Sequence, residues 1–192
     1  MRDAAAGNLT AGLLAAALVA AEMWVARSRS PHRGREQDRG TRAAITVGLV
    51  AGFAGALACA NAGVGPAIAG GRWTLVAAGT AIAVAGLVLR AWAIATLGHL
   101  FQQRLVIQDG HAVVASGPYR VIRHPSYAGP ILVLAGIGVA LGSWLGLVVS
   151  VALPFAGYAA RIVVEERMLV EGLGAEYEAY RARTWRLVPG IW

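Results

Sequence analysis

Five blocks of Ala, Val, Leu, Ile and Gly divide the chain, separated by polar segments. A helix rises about 1.5 Å per residue, so about 20 mostly apolar residues are needed to cross the hydrocarbon core of a bilayer. The blocks at about residues 8–26, 43–63 and 73–97 reach that length. Two more, from Pro125 to about 141 and from about 145 to 161, are parted only by Gly142-Ser143-Trp144, which predicts a tight helical hairpin. The pattern predicts an all-α integral membrane protein with about five transmembrane helices, the last two forming that hairpin. The fifth helix continues past its apolar block through EERMLVEGL, and the tail EYEAYRARTWRLVPGIW is polar, aromatic and basic.

The polar segments predict an orientation. RSRSPHRGREQDRGTR, residues 27–42, holds six Arg against Glu36 and Asp38. A short Arg-rich loop stays in the cytoplasm. The N-terminus then lies outside, as do the turn before Arg72 and the hairpin tip. Residues 98–124 and the tail lie inside. The first block is read as a retained span, because no positive n-region precedes it and more spans follow. Trp24, Trp73, Trp92 and Trp144 fall near span ends, where amphipathic rings prefer to sit. Gly48 and Gly52, and Gly138, Gly142 and Gly146, recur at four-residue spacing and predict close helix packing.

Composition narrows the chemistry. Hydrophobic residues make up 57% and charged residues 14%, and the mean hydropathy is +0.59. The net charge is +7, and every basic residue is Arg. No lysine is present to act as a base or Schiff-base former. The charge falls between oily blocks, so it reads as topology and not as a nucleic-acid surface. Cys59 is the single cysteine, which excludes an internal disulfide and a cysteine-based metal site. The four His, at 32, 99, 111 and 124, lack a close metal-ligand pair, and no metal is expected. High Ala, Gly and Arg content without Lys points to a GC-rich bacterial genome, hence to a bacterial inner or cell membrane.

One stretch breaks the oily pattern. GPYRVIRHPSYAGP, residues 117–130, contains two Arg, one His, two Tyr and three Pro. Gly117-Pro118 starts a turn. Pro125 suits the first turn of the next helix, and it pushes His124 away from helical geometry. Arg123 and His124 therefore stand just ahead of a helix N-terminus, where exposed N–H groups favour an anion. A second polar cluster, RIVVEERML, places Arg161 and Glu165 one turn apart, as an i,i+4 pair. Glu166 takes a different angular position. A Glu facing into the bundle is a functional candidate; the spacing leaves open which of the two faces inward.

In order, HAVVASGPYRVIRHPSYAG, RIVVEERML and GAEYEAYRARTWRLVPGI resemble the isoprenylcysteine carboxyl methyltransferase family. The related phospholipid methyltransferases share part of the pattern. The likeness runs from about Leu97 to Ile191 and includes LGHLF. It divides the chain into residues 1–96, three membrane helices with the Arg-rich loop, and residues 97–192, a methyltransferase-like catalytic region. The resemblance implies a membrane-embedded methyltransferase that uses S-adenosylmethionine in a pocket on the cytosolic side. His111, Gly117, Tyr119, Arg123, His124, Pro125 and Tyr127 match the family's cofactor-binding segment. Val113, Val114 and Tyr119 are expected to wall the adenine. Arg161 and Glu166 match residues linked to substrate handling and catalysis, and Glu165 matches the preceding acid, expected with Glu166 to meet the cofactor ammonium. Tyr177 and Tyr180 match a tail pair that closes the pocket.

The implied acceptor is lipophilic, a prenylated molecule or another membrane-borne carboxylate, amine or thiol, entering from the bilayer lipids. A carboxylate is already ionised and needs no general base; an amine would make Glu166 the base. Two other readings fit parts of the pattern. An NADPH-dependent membrane reductase of the sterol-reductase type carries similar cytosolic Tyr and His segments. A non-enzymatic membrane scaffold explains the helices but not two polar clusters on one face. The glycine spacing serves a dimer or internal packing equally, so the oligomeric state stays open.

Overall fold

The computed structural model describes residues 2–27, 40–98 and 113–192. His32, His99, His111 and most of the Arg-rich loop lie outside the described residues. The described residues form six α-helices, in order α1 Arg2–Arg27, α2 Thr41–Ala62, α3 Arg72–Leu97, α4 Pro125–Leu141, α5 Trp144–Leu173 and α6 Ala175–Ala182. A short 3₁₀ turn, Gly117–Arg120, precedes α4. The described residues form no strand, only two isolated bridges. The all-helical expectation holds among the described residues, and part of the polar tail folds as α6.

Among the described residues, three helices are long and apolar enough to cross a membrane: Thr41–Ala62, Arg72–Leu97 and Trp144–Leu173. The chain is an integral membrane protein. Two shorter apolar stretches, Gly7–Ala21 and Pro125–Leu141, complete the bundle. The second has 17 residues, which at about 1.5 Å each falls short of the roughly 30 Å hydrocarbon core.

Glycines set how the helices meet. Gly86 and Gly129 face each other across α3 and α4: a Cβ on Gly86 would lie 2.6 Å from the Gly129 carbonyl oxygen, and one on Gly129 2.7 Å from that of Gly86. Gly79 and Gly136 repeat the contact two turns away. The rising number on one helix meets the falling number on the other, so α3 and α4 run antiparallel. Backbones at this distance gain dispersion and Cα–H···O contacts that larger residues would prevent. α2 and α5 pair the same way, through Gly48 against Leu153 and Gly157 against Ala44. The four-residue glycine spacing predicted this contact for Gly48 and Gly52; the α3–α4 pair, at seven-residue spacing, went unread. Gly86→Leu is expected to destabilise the fold by about 1–3 kcal/mol through overpacking. A Cβ on Gly12 would meet nothing within 4 Å, so Gly12→Leu is expected to leave the melting temperature in detergent unchanged. A thermal melt of the two variants checks both.

Alternating helix directions sort the polar groups into two ends. At one end Asn8 donates to Asn61 at 2.9 Å, and the turn after α2 bridges the hairpin tip through Ala67 and Ser143. Gly142, at φ +76°, closes α4 there. At the other end lie Thr41, Arg90, Ser126, Tyr127 and Arg161, joined by hydrogen bonds.

Candidate functional site

Proline chemistry builds part of that polar end. Pro130 sits inside α4 and has no N–H to offer the carbonyl of Ser126, one turn back. In an apolar bundle an unsatisfied carbonyl is costly. Arg90 of α3 fills the gap, its Nη1 donating to the Ser126 oxygen at 2.5 Å. Arg90 is itself buried. A charged side chain within a spanning helix marks a functional position by default, and Arg90 is a residue that the sequence reading passed over. The signal was present: a lone Arg within the apolar block at 73–97.

Arg42, Arg90, Tyr127 and Arg161 line one end of a cavity of about 410 Å³. Leu18 of α1, Leu49 and Phe53 of α2 and Leu134 of α4 line the rest. The cavity is therefore cationic at one end and apolar along its length. From Tyr127 to Leu134, and from Arg42 to Phe53, helix rise gives a depth of roughly 10–16 Å.

Arg161 is held from two sides. Its Nε donates to the Tyr127 hydroxyl at 3.3 Å, and its Nη1 donates to Thr41 Oγ1 at 3.2 Å. Tyr127 in turn donates to Glu165 Oε2 at 2.6 Å. The predicted i,i+4 partners Arg161 and Glu165 thus converge on one hydroxyl. The Tyr127 ring stacks on His124 with an interplanar angle of 1°, and on Tyr158. Tyr127, matched to the cofactor segment by sequence, also faces the cavity.

Glu166 belongs to a different network. Arg123 Nε donates to its Oε1 at 2.7 Å, and Arg186 Nε donates to its Oε2 at 3.0 Å. Arg123 also reaches the Arg181 carbonyl at 3.1 Å and Thr184. The backbone N–H groups of Arg123 and His124 donate to the carbonyls of Trp185 and Arg186, at 2.7 and 3.0 Å. This corrects the expectation of an open anion site there: the tail segment 184–186 takes up those donors beside a parallel bridge. Arg123 pins the tail onto the loop ahead of α4. Both acids face protein, with Glu166 buried and Glu165 half-buried.

The loop fits its sequence. Gly117 has φ +53°, and a Cβ there would lie 2.8 Å from Thr96 Oγ1. Pro125 opens α4 and is fully buried; Val113 and Val114 are half-buried. Tyr180 donates to the Tyr119 carbonyl at 2.8 Å, and its ring lies 5.8 Å from that of Tyr177. Burial pushes the Tyr180 hydroxyl up to about 12, and raises those of Tyr119 and Tyr177 further. All three are neutral donors at physiological pH.

Among the described residues of this loop, two buried side-chain atoms have no well-formed hydrogen bond: Tyr119 Oη and His124 Nε2. The latter lies 3.5 Å from Glu166 Oε1, too long for a good bond. Unsatisfied buried groups are costly and call for an explanation. A polar ligand against the loop would supply partners, so these residues fit a cofactor rich in amino, carboxylate and nitrogen-heterocycle groups. Among the described residues no cluster of three or more His, Cys, Asp or Glu is placed to hold a metal ion.

Comparison with known proteins follows the same region. Residues 79–171 match the model of the isoprenylcysteine carboxyl methyltransferase (ICMT) family. A probable protein-S-isoprenylcysteine O-methyltransferase of Oryza sativa subsp. indica is 31% identical over 121 residues, covering 62% of this chain and 63% of the relative. Protein-S-isoprenylcysteine O-methyltransferase B of Arabidopsis thaliana is 30% identical, covering 62% of each. The Saccharomyces cerevisiae protein-S-isoprenylcysteine O-methyltransferase is 31% identical, covering 59% of this chain and 48% of its own. The chain thus spans less than two thirds of the length of these relatives. A solved structure of the eukaryotic intramembrane Ras methyltransferase ICMT aligns over 82% of this chain and 55% of its own, at TM-score 0.54 and 24% identity; that likeness is one of fold. The resemblance read from the motifs is borne out. The comparisons lend nothing to the reductase or scaffold readings. These relatives are eukaryotic, so the expected bacterial origin is not borne out.

Proposed function

We propose that this chain is an S-adenosylmethionine-dependent methyltransferase of the isoprenylcysteine carboxyl methyltransferase family, acting on the carboxylate of a lipophilic, isoprenylcysteine-like acceptor. The observation that carries this is the cavity, apolar along its length and lined at one end by Arg42, Arg90, Tyr127 and Arg161. An apolar tail gains by leaving water for such walls. Its carboxylate finds guanidinium donors, which suit a planar anion.

Residues 97–192, together with Arg90, carry the chemistry. When bound, S-adenosylmethionine would supply an electrophilic methyl group on a positively charged sulfonium. Tyr119 and His124 are assigned to hold it, with Gly117, Pro125, Val113 and Val114 shaping the loop around it. His111, matched by sequence, joins them in this proposal. Arg161 orients the acceptor carboxylate, which is ionised and needs no base. Glu166 acts by fixing Arg123 and the tail over the loop. Opposite charges are neutralised as the methyl moves, so a dry, positioned site favours the transfer. About five membrane helices, with this end of the bundle in the cytoplasm, complete the proposal.

Calorimetric titration of S-adenosylhomocysteine into detergent-purified protein tests the cofactor assignment. Micromolar binding is expected, weakened at least tenfold in His124→Ala, on the scale of about 1.4 kcal/mol for a lost hydrogen bond. Well-folded protein that binds none, or binds NADPH in its place, would overturn the assignment.

A further inference from the structure

The geometry points to Tyr127 as a positioning residue for Arg161, and so for the acceptor's anionic head, with Thr41 as its counterpart on α2. This inference rests on the proposed methyl transfer and goes beyond it, since neither hydroxyl needs to touch the acceptor's reacting atoms.

Arg161 is 2% exposed and borders the cavity. An arginine side chain has many rotamers, and binding energy is lost whenever the guanidinium must be ordered at the moment of binding. Here two hydroxyls from two other helices order it beforehand. Tyr127 Oη accepts from Nε at 3.3 Å, and Thr41 Oγ1 accepts from Nη1 at 3.2 Å. Tyr127 is fixed in its turn. Its proton goes to Glu165 at 2.6 Å, which leaves the oxygen lone pairs directed to the guanidinium. Its ring stacks on both His124 and Tyr158, with centroids 5.5 and 5.0 Å away.

The same stack gives Tyr127 a second consequence. His124 stands on the loop assigned to the cofactor, while Arg161 stands at the cavity. Tyr127 touches both, so it sets the spacing between the two halves of the reaction. A misplacement of about 1 Å between reacting groups can cost about a hundredfold in rate. Thr41 ties the N-terminus of α2, which forms one wall of the cavity, to the same guanidinium.

Tyr127→Phe keeps the ring and its stacking but removes the hydroxyl. Thr41→Val removes the other acceptor while keeping the shape. Steady-state methylation of a prenyl thioether carboxylate in detergent, calorimetry with S-adenosylhomocysteine and thermal melts are the measurements. Tyr127→Phe is expected to raise the acceptor KM by about tenfold or more, the scale of one hydrogen bond to a charged group. The kcat should change less, and S-adenosylhomocysteine affinity by under about twofold. Thr41→Val is expected to move the KM the same way, and the double variant by less than the product, because both act on one side chain. An unchanged KM in Tyr127→Phe, with wild type active, would overturn the positioning role alone. An equal loss of cofactor-analogue affinity would overturn it too, placing the hydroxyl in the cofactor site. Wild-type protein that neither binds the analogue nor transfers methyl would overturn the proposed function, and this inference with it.

Discussion

Arg161→Ala is expected to lower methyl transfer to a lipophilic carboxylate by about two orders of magnitude or more, while binding of S-adenosylhomocysteine persists. The side chain is buried at the cationic end of the cavity and held by Tyr127 and Thr41. Truncating one partner of a buried hydrogen-bonded charge pair costs about 2–5 kcal/mol, and each 1.4 kcal/mol is about a factor of ten. The loss falls on the acceptor, since Arg161 faces the cavity and the unsatisfied atoms of the loop belong to Tyr119 and His124. Arg161→Lys is expected to recover little, because an ammonium cannot reproduce the two-sided geometry of the guanidinium fork. Arg90→Ala should act in the same direction and also strip the donor from the Ser126 carbonyl that Pro130 leaves open. Turnover of Arg161→Ala within about threefold of wild type would remove Arg161 from any role in orienting the acceptor.

Glu166→Ala is expected to have the second large effect, through a different route. Glu166 accepts from Arg123 and Arg186, and the side chains of Glu166 and Arg123 are almost fully buried. Breaking a buried ion pair by deleting one member typically costs about 3–5 kcal/mol, because the surviving charge loses its compensation. Arg186 is partly exposed, so less of the cost falls there. The bridge between Ile122 and Trp185, and the bonds from Arg123 and His124 to the tail, should open as a unit. Amide hydrogen exchange reads this directly: protection of Arg123, His124 and Trp185 should fall, while the α3–α4 contact keeps its protection. Cofactor-analogue binding should fall with it, since the loop loses its backing. Undiminished protection in a Glu166→Ala protein with unchanged activity would contradict the tail-locking role.

The sequence disclosed these features unevenly, for physical reasons. Helices were legible because apolar blocks of sufficient length leave few alternatives, and Pro125 marked the start of α4 by its missing N–H. The two polar clusters were legible because charge within an oily chain is conspicuous. Their partners were not. Arg161 and Glu165 looked like an i,i+4 pair, yet Tyr127 of another helix lies between them. Arg123 read as an anion ligand because helix N-termini attract anions; its actual partners, Glu166 and Thr184, lie more than forty residues away. Arg90 was missed because a single charge within an apolar run has no motif, and its role depends on a proline in a different helix. The glycines at 79, 86, 129 and 136 meet only across the antiparallel pair, a register that spacing within one helix does not encode.

The most direct test of the central claim is methyl transfer by the purified protein in detergent. S-adenosylmethionine labelled in its methyl group would be incubated with N-acetyl-S-farnesylcysteine, and the product treated with mild base. The account predicts label in the lipophilic product that base releases as methanol, the signature of a carboxyl methyl ester, and its loss in Arg161→Ala. Folded protein that binds S-adenosylhomocysteine yet leaves the carboxylate unlabelled, or gives a labelled product from which base releases no methanol, would contradict it.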